Sequence, residues 1–554
     1  EVKTILNGFV MDEVLSVETF AVRFVGLTLT ITSRLCLDFV GVLVHLSACC
    51  SDLCCRLGSV QNEATRRQFI SVACAAGISA GFGTPLGGVL WSYEQMSSRF
   101  TQQTLISAFL ASIVADLMLK ANFFDTNTGV LTEMKKVGSS YAHLPSATDQ
   151  VLFGMLGVMG GLVGASCVLH NMYICRFRCR YGWLGPTWRG RLSIALVTIL
   201  SCAAVSVEPL LKAHTDSLEA LFASCKSGLK TPEMLGFCKD FEPVHSPELA
   251  WSLLRAGGLF WLELIVTYDA GVPGGYFIPS FFIGACMGRC TCTLAHWLNP
   301  TTLTVQPGIY AMVGAAAMMA GTCRVHVSLV VIMFELTGAL QLVVPFMISI
   351  MAANWIGNTL TCSMDHSHIL LRGYPHLDCS RDVALKSHAS DIMDEALECL
   401  TCDPFRLSEF TAWIERAEYG GFPVVLAEDC TLLGYASRES IRNFLRDLPV
   451  RITRKNPLVS FRTEDPSIVD LSSLVDRTVL QIVPEMRLEQ VHQIFLELGV
   501  KLVLVSRFGK LVGMITKKAF VEFLSHGNIG SVSHHPVLGK EPKVQGDLER
   551  PLLK

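Results

Sequence analysis

The chain has 554 residues, of which 51% are hydrophobic and 17% charged, against about 25% charged in an ordinary soluble domain. The formal net charge of −3 gives no basic surface for nucleic acid, and the charge deficit excludes a wholly soluble protein. Charged residues are sparse up to about Leu371 and common after it, so a large membrane part precedes a soluble part long enough for its own core.

Apolar segments follow one another over 19–37, 40–58, 68–82, 85–98, 104–119, 151–175, 192–207, 250–267, 276–298, 308–322, 326–339 and 340–361. Several fall short of the ~20 residues that cross the hydrocarbon core. Gly/Pro interruptions at Gly83 to Gly88 and Pro273 to Pro279 lie inside the apolar zone. The spacing therefore predicts broken and re-entrant helices around a polar site at mid-membrane. Gly154, Gly157, Gly160, Gly161, Gly164 and the run Gly314 to Ala317 predict close helix packing.

Arg176, Arg178, Arg180, Arg189 and Arg191 cluster in one short connection, expected on the cytoplasmic face. The polar loop from Ser224 to Pro247 then lies on the other face. Cys225 and Cys238 within it are either a disulfide on the oxidising side or two free thiols. The remaining cysteines sit mostly in apolar runs, where they read as small hydrophobes; Cys290 and Cys292 lack a second pair for zinc.

The most informative string is Val272-Pro-Gly-Gly-Tyr-Phe-Ile-Pro279. Gly275 and Pro279 interrupt helical bonding where lipid would penalise unpaired amides, so the break must be buried or line a cavity. The amides of Tyr276 and Phe277, at the start of the next helix, are expected to donate to an anion. After about Pro375 the pattern becomes soluble α/β. Phe422 to Leu426 and Leu502 to Ser506 read as buried strands, each followed by a second strand and a helix, which is an internal duplication.

These residues resemble the CLC family of chloride channels and chloride/proton exchangers, nearest its endosomal exchanger branch. Gly275-Tyr-Phe-Ile-Pro279 looks like the family's Gly-x-Phe-x-Pro anion motif. Pro307 to Ala317, Ser328 to Gly338 and Pro85 to Leu90 are similar to further family stretches, and the soluble duplication resembles paired CBS domains. The fold class implied is an α-helical multi-pass membrane protein of broken, re-entrant helices with a C-terminal α/β CBS pair. The expected domains are a membrane anion-transport domain over 1–372, CBS domains over 383–450 and 476–527 joined by a linker over 451–475, and a disordered tail over 528–554. The resemblance implies a homodimer in a lipid bilayer, one chloride pathway per subunit, and chloride held at Gly275, Tyr276, Phe277 and Ile278. Cys225 and Cys238 match a cysteine pair in that branch's non-cytosolic loop.

The departures from the family carry as much information. The family's Gly-Ser-Gly-Ile-Pro loop precedes the stretch resembling Glu1 to Gly8 and is absent, so the chain is expected to be N-terminally incomplete or to lack that wall of the site. The gating glutamate aligns with Val40 in Asp38-Phe-Val-Gly-Val42, and valine can neither block an anion path nor carry a proton. The inner proton glutamate aligns with Gln95, which does not titrate; Glu94 beside it reads as a helix-end structural acid. The central tyrosine, by a gapless count from Gly373, aligns with Asp365, with His366 or His368 as alternatives. An ionised aspartate there would repel chloride. ATP or ADP is the cofactor implied at the CBS pair: Tyr419 matches the adenine-stacking tyrosine and Lys517 is kept, but Ala519 replaces the acid for the ribose.

The function expected is passive, channel-like chloride transport uncoupled from protons; the alternative is a non-conducting regulatory relative acting through dimerisation and its CBS pair. No Walker loop, zinc spacing or nucleophile elbow supports an enzyme, and His45 reads as a satisfied core histidine. The branch implies an endosomal or other vesicle membrane, with Glu549-Arg-Pro-Leu-Leu553 as a dileucine-like string.

Overall fold

A computed structural model describes residues 1–9, 11–58, 60, 62–97, 100–120, 145–183, 187–207, 210, 214–225, 236–239, 242–298, 305–375, 377, 387–417, 419–448, 456–462, 465 and 468–526. It divides into two compact units, Glu1–Tyr374 and Pro375–Lys554.

The first unit is helical. In chain order the helices are α1 (Val2–Leu6), α2 (Val17–Thr32), α3 (Val40–Leu57), α4 (Glu63–Phe82), α5 (Pro85–Trp91), α6 (Gln102–Lys120), α7 (Ala147–Tyr181), α8 (Trp188–Val207), α9 (His214–Phe222), α10 (Pro247–Thr267), α11 (Phe277–Leu298), α12 (Pro307–Cys323), α13 (Val327–Thr337), α14 (Val343–Leu360) and α15 (Met364–Leu371). The apolar segments of the sequence fall on these helices nearly one for one. The first is an exception: its helix stops at Thr32 rather than at 37, because Arg34 adopts a left-handed φ of 52° and turns the chain. Among the described residues, seven helical stretches are long and apolar enough to cross a membrane, while α12 and α13 are shorter. The segment over 85–98 is likewise a break: Gly83, at φ 66°, ends α4, Pro85 opens α5, and α5 passes at once into a wide π turn over Ser92–Met96.

Small residues bring backbones into contact as the sequence predicted. A methyl group on Gly160 would lie 2.6 Å from the Ala317 carbonyl carbon, and one on Gly164 would lie 2.8 Å from the Gly321 Cα, so α7 and α12 touch main chain to main chain. Gly157 meets α14 at Ser349 and Ala352 in the same way. Polar residues tie helix ends together. The Asn171 amide donates to the carbonyls of Ile265 (2.9 Å) and Tyr268 (3.1 Å), and Arg178 donates to Val266 (2.8 Å), closing the last turn of α10 onto α7. Arg289 is buried in α11, donates to the Leu221 carbonyl at the end of α9 (2.6 Å), and lies 4.5 Å from the Phe237 ring centroid.

In the second unit, β1 (Gly421–Val425) pairs antiparallel with β2 (Leu432–Ser437) before helix α16 (Arg438–Asp447), and β3 (Leu502–Arg507) pairs antiparallel with β4 (Lys510–Thr516) before helix α17 (Lys517–His526). Both hairpins carry an irregularity, between Val424 and Val425 and between Val505 and Ser506, which marks them as copies of one plan. The copies are joined: Leu432 donates to the Gly509 carbonyl (2.9 Å) and Leu511 to that of Cys430 (3.1 Å). They also exchange segments. Asp394, ahead of the first hairpin, makes two main-chain bonds with Met514 in β4, and the short strand Val475–Asp476 pairs antiparallel beside β2. The tail over 528–554, with its Glu549 to Leu553 string, lies outside the described residues.

Candidate anion site

Two interruptions of the helical backbone meet at Asp38 and Gly275. Their main chains exchange both hydrogen bonds, Asp38 N to Gly275 O at 3.0 Å and Gly275 N to Asp38 O at 2.8 Å. This bridge sets the N-terminus of α3 beside the N-terminus of α11. A side chain at Gly275 would fall on the Asp38 carboxylate, which is why the break needs glycine here. The two helix ends leave amides that must find acceptors in a water-free interior.

The acceptor is Asp38. One carboxylate oxygen takes the Val40 amide at 2.8 Å and the Gly41 amide at 3.5 Å, and the other takes the Ile278 amide at 2.9 Å. One buried carboxylate thus caps two helices and lies on both their positive dipole ends. This is the geometry an anion would adopt, and the sequence reading missed it. The signal was present, since an Asp just ahead of an apolar helix can accept that helix's first amides. Of the residues expected to hold chloride, Gly275 donates its amide to the Asp38 carbonyl and Ile278 donates to the Asp38 carboxylate.

Below this junction lies a cavity of about 710 Å³, walled in part by Gly41, Gln95, Gly275, Tyr276, Phe277 and Asp365. Asp38 and Val40 are buried behind that wall. Val40 packs on α4, where a Cβ at Gly81 would touch it at 3.0 Å. Gln95 is half-buried in the π turn after α5. Phe277 packs its ring against Phe82, Trp91 and Tyr276. Asp365 does face the cavity, but its partner is close: the Tyr276 hydroxyl donates to it at 3.1 Å and accepts from the Cys323 thiol at 3.1 Å. A tyrosine hydroxyl is therefore present in the cavity, carried by Tyr276. Of the alternatives at that position, His368 is instead bound to Asn171 (2.8 Å) and lies 3.2 Å from Asp269, which pairs with Arg372.

Glu94 is committed elsewhere. It accepts the amides of His326 (2.6 Å) and Ser328 (2.9 Å) and the Ser328 hydroxyl (2.7 Å), capping α13. His45 bonds the Val14 carbonyl at 3.0 Å. Cys225 and Cys238 form a disulfide across the start of a short hairpin, with Cα atoms 5.6 Å apart. In the second unit, Tyr419 leaves 47% of its surface exposed, Lys517 is buried, and the exposed Ala519 donates its amide to Thr516 Oγ1.

A family model described as "Voltage gated chloride channel" matches residues 1–358, and a CBS domain model matches residues 471–526. The human "H(+)/Cl(-) exchange transporter 3" is 31% identical, with 95% of this chain and 69% of that protein covered. The "H(+)/Cl(-) exchange transporter 5" of Sus scrofa is 32% identical at the same coverage. A crystal structure of a eukaryotic CLC transporter superposes with a TM-score of 0.69 at 24% identity, covering 94% of this chain and 83% of that one. A slow cyanobacterial Cl-/H+ antiporter reaches 0.52 at 19%, covering 67% and 79%.

Proposed function

Because the chain belongs to the voltage gated chloride channel family, we propose that it carries chloride across a membrane through the cavity below Tyr276 and Phe277, without obligatory exchange for protons. The relatives are named as proton/chloride exchangers. Exchange needs carboxylates in series that take up and release a proton within the membrane. The observation that carries the reading is at those positions. Val40 is packed into α4, Gln95 cannot titrate, and the neighbouring Glu94 holds the end of α13 with three hydrogen bonds. The test is chloride flux from vesicles holding the purified full chain. Chloride moves down its own gradient with no proton uptake, and its reversal potential stays fixed when pH is stepped on one side. A reversal potential that follows the proton gradient overturns the reading.

A second reading is favoured by Asp38. Its carboxylate occupies the amides an anion would use, and its main chain is pinned to Gly275 on both sides. Such a protein would be closed to chloride and act through dimerisation and its CBS pair. The same vesicles separate the two: a silent wild type that gains flux on Asp38→Gly supports closure, and wild-type flux excludes it. The family resemblance extends either reading to a homodimer in an intracellular vesicle membrane. It also extends to ATP or ADP at the CBS pair, where Tyr419 is exposed and edge-on to Phe422 while Ala519 offers no acid.

A further inference from the structure

We propose that Cys175, Asp269 and His368 form a binding site for a divalent cation of the zinc class, set in and behind the wall of the cavity. They are the one grouping of potential metal ligands found among the described residues, with the Cys175 Sγ, a carboxylate oxygen of Asp269 and a ring nitrogen of His368 all within 4.8 Å of one another. A thiolate, an imidazole and a carboxylate are the donors zinc takes. In a tetrahedral zinc site with bonds of about 2.0–2.3 Å, ligand atoms stand about 3.3–3.8 Å apart. The three side chains need to close by only about 1–1.5 Å to meet that spacing.

The hydrogen bonds around the site point the same way. Asn171 donates its NH2 to two carbonyls, Ile265 and Tyr268, which fixes the orientation of the amide and leaves its oxygen toward His368 Nε2 at 2.8 Å. Nε2 must therefore carry the hydrogen. Its other nitrogen, Nδ1, faces an Asp269 carboxylate oxygen at 3.2 Å. A nitrogen lone pair and a carboxylate cannot face each other at that distance without a cation between them. A proton would serve for that pair; the thiol beside it makes only long contacts, to the Asn171 side-chain oxygen at 3.8 Å and to the Tyr268 carbonyl at 4.0 Å. Cys175 is 1% exposed and comes from a different element, α7, than Asp269, which follows α10, or His368 in α15. Asn171 is then the outer partner that fixes the tautomer and orientation of a ligating histidine.

The site also reaches the cavity. Asp269, His368 and Arg372 line it, and Arg372 is an ion-pair partner of Asp269. A bound cation would replace the guanidinium as the partner of Asp269 and leave Arg372, on the cavity wall, paired with Glu1 alone (3.0 Å). Occupancy would so change the charge met by an anion there.

The experiment uses the purified full chain in detergent, with Co2+ as an optical reporter and Zn2+ as the competitor, so its outcome does not depend on chloride transport. The expected result is one Co2+ per chain, a thiolate-to-cobalt charge-transfer absorption, and its loss on adding Zn2+. Cys175→Ser abolishes the absorption, His368→Gln weakens Zn2+ binding at least tenfold, and Cys74→Ser, a buried thiol elsewhere, changes neither. Zn2+ also raises the Tm of the wild type, a readout that stands even where a variant fails to fold. Absence of stoichiometric uptake, an absorption that survives Cys175→Ser, or a Tm indifferent to Zn2+ overturns the proposal, the last two leaving only a proton between His368 and Asp269.

Discussion

Glu94 and Glu335 each close the N-terminus of the segment that carries the other. Glu94, in the turn that continues α5, accepts from His326 and Ser328 at the head of α13, and Glu335, near the end of α13, accepts from Leu86 (3.2 Å) and Gly87 (2.8 Å) at the head of α5. Two short helices that cannot span a bilayer are thereby locked antiparallel, each with its orphan amides met by a carboxylate. Replacing either acid with alanine is expected to lower stability by about 1–3 kcal/mol. The double variant should cost less than the sum, because the two caps hold one pair of helices. Thermal unfolding in detergent measures both. Proton dependence of chloride flux should be unaltered in any variant that folds.

Asp38→Ala removes the acceptor of two helix ends. Stability should fall by about 2 kcal/mol in chloride-free buffer. Chloride should then enter the vacated place and restore the loss, by about 2.7 kcal/mol at a hundred times its Kd. The check is Tm against chloride concentration: a rising curve in Asp38→Ala and a flat one in the wild type.

A methyl group has no room between α7 and α12. Gly164→Ala should destabilise the membrane unit by about 1–3 kcal/mol, because the atoms it meets belong to the Gly321 backbone rather than to a side chain that can turn aside. Gly258→Ala, where a Cβ meets nothing, should stay within about 0.5 kcal/mol of the wild type. Yield and unfolding midpoint compare them.

His245, in the loop before α10, stacks on His296 with ring centroids 3.9 Å apart. Burial and the nearby charges of His296 and Arg289 push its pKa down to about 4 from an ordinary value of 6.5. The unfolded chain takes up that proton first, so this contribution is fully present above pH 6.5 and is lost as pH falls toward about 4. Tm should drop over that window on acidification, and His245→Gln should flatten the drop.

Much of this architecture is legible in the sequence. Apolar runs broken by Gly83, Pro85, Gly275 and Pro279 fixed where helices stop, because those residues act through local geometry. The glycines of α7 were readable as contacts for the same reason. The two hairpins of the soluble unit were visible as copies, since buried strands leave continuous apolar runs. What escaped was the pairing of distant positions. Nothing local to Asp38 indicates that Ile278 will be its partner across a main-chain bridge. Nor does anything local to Tyr276 show that its hydroxyl will reach Asp365. The pairing of Val475 and Asp476 with the first hairpin escaped for the same reason, because tertiary strand pairing leaves no mark in a local sequence pattern.

The bare approach of α7 to α12 at Gly160 and Gly164 limits how this protein can move. Helices separated by side chains can rock as those side chains change rotamer. Helices in direct main-chain touch have no such bearing, and any tilt drives one carbonyl row into another. Conformational change during anion passage must therefore be confined to smaller parts: the π turn at Gln95, the ring of Phe277, and the ion pairs around Arg372.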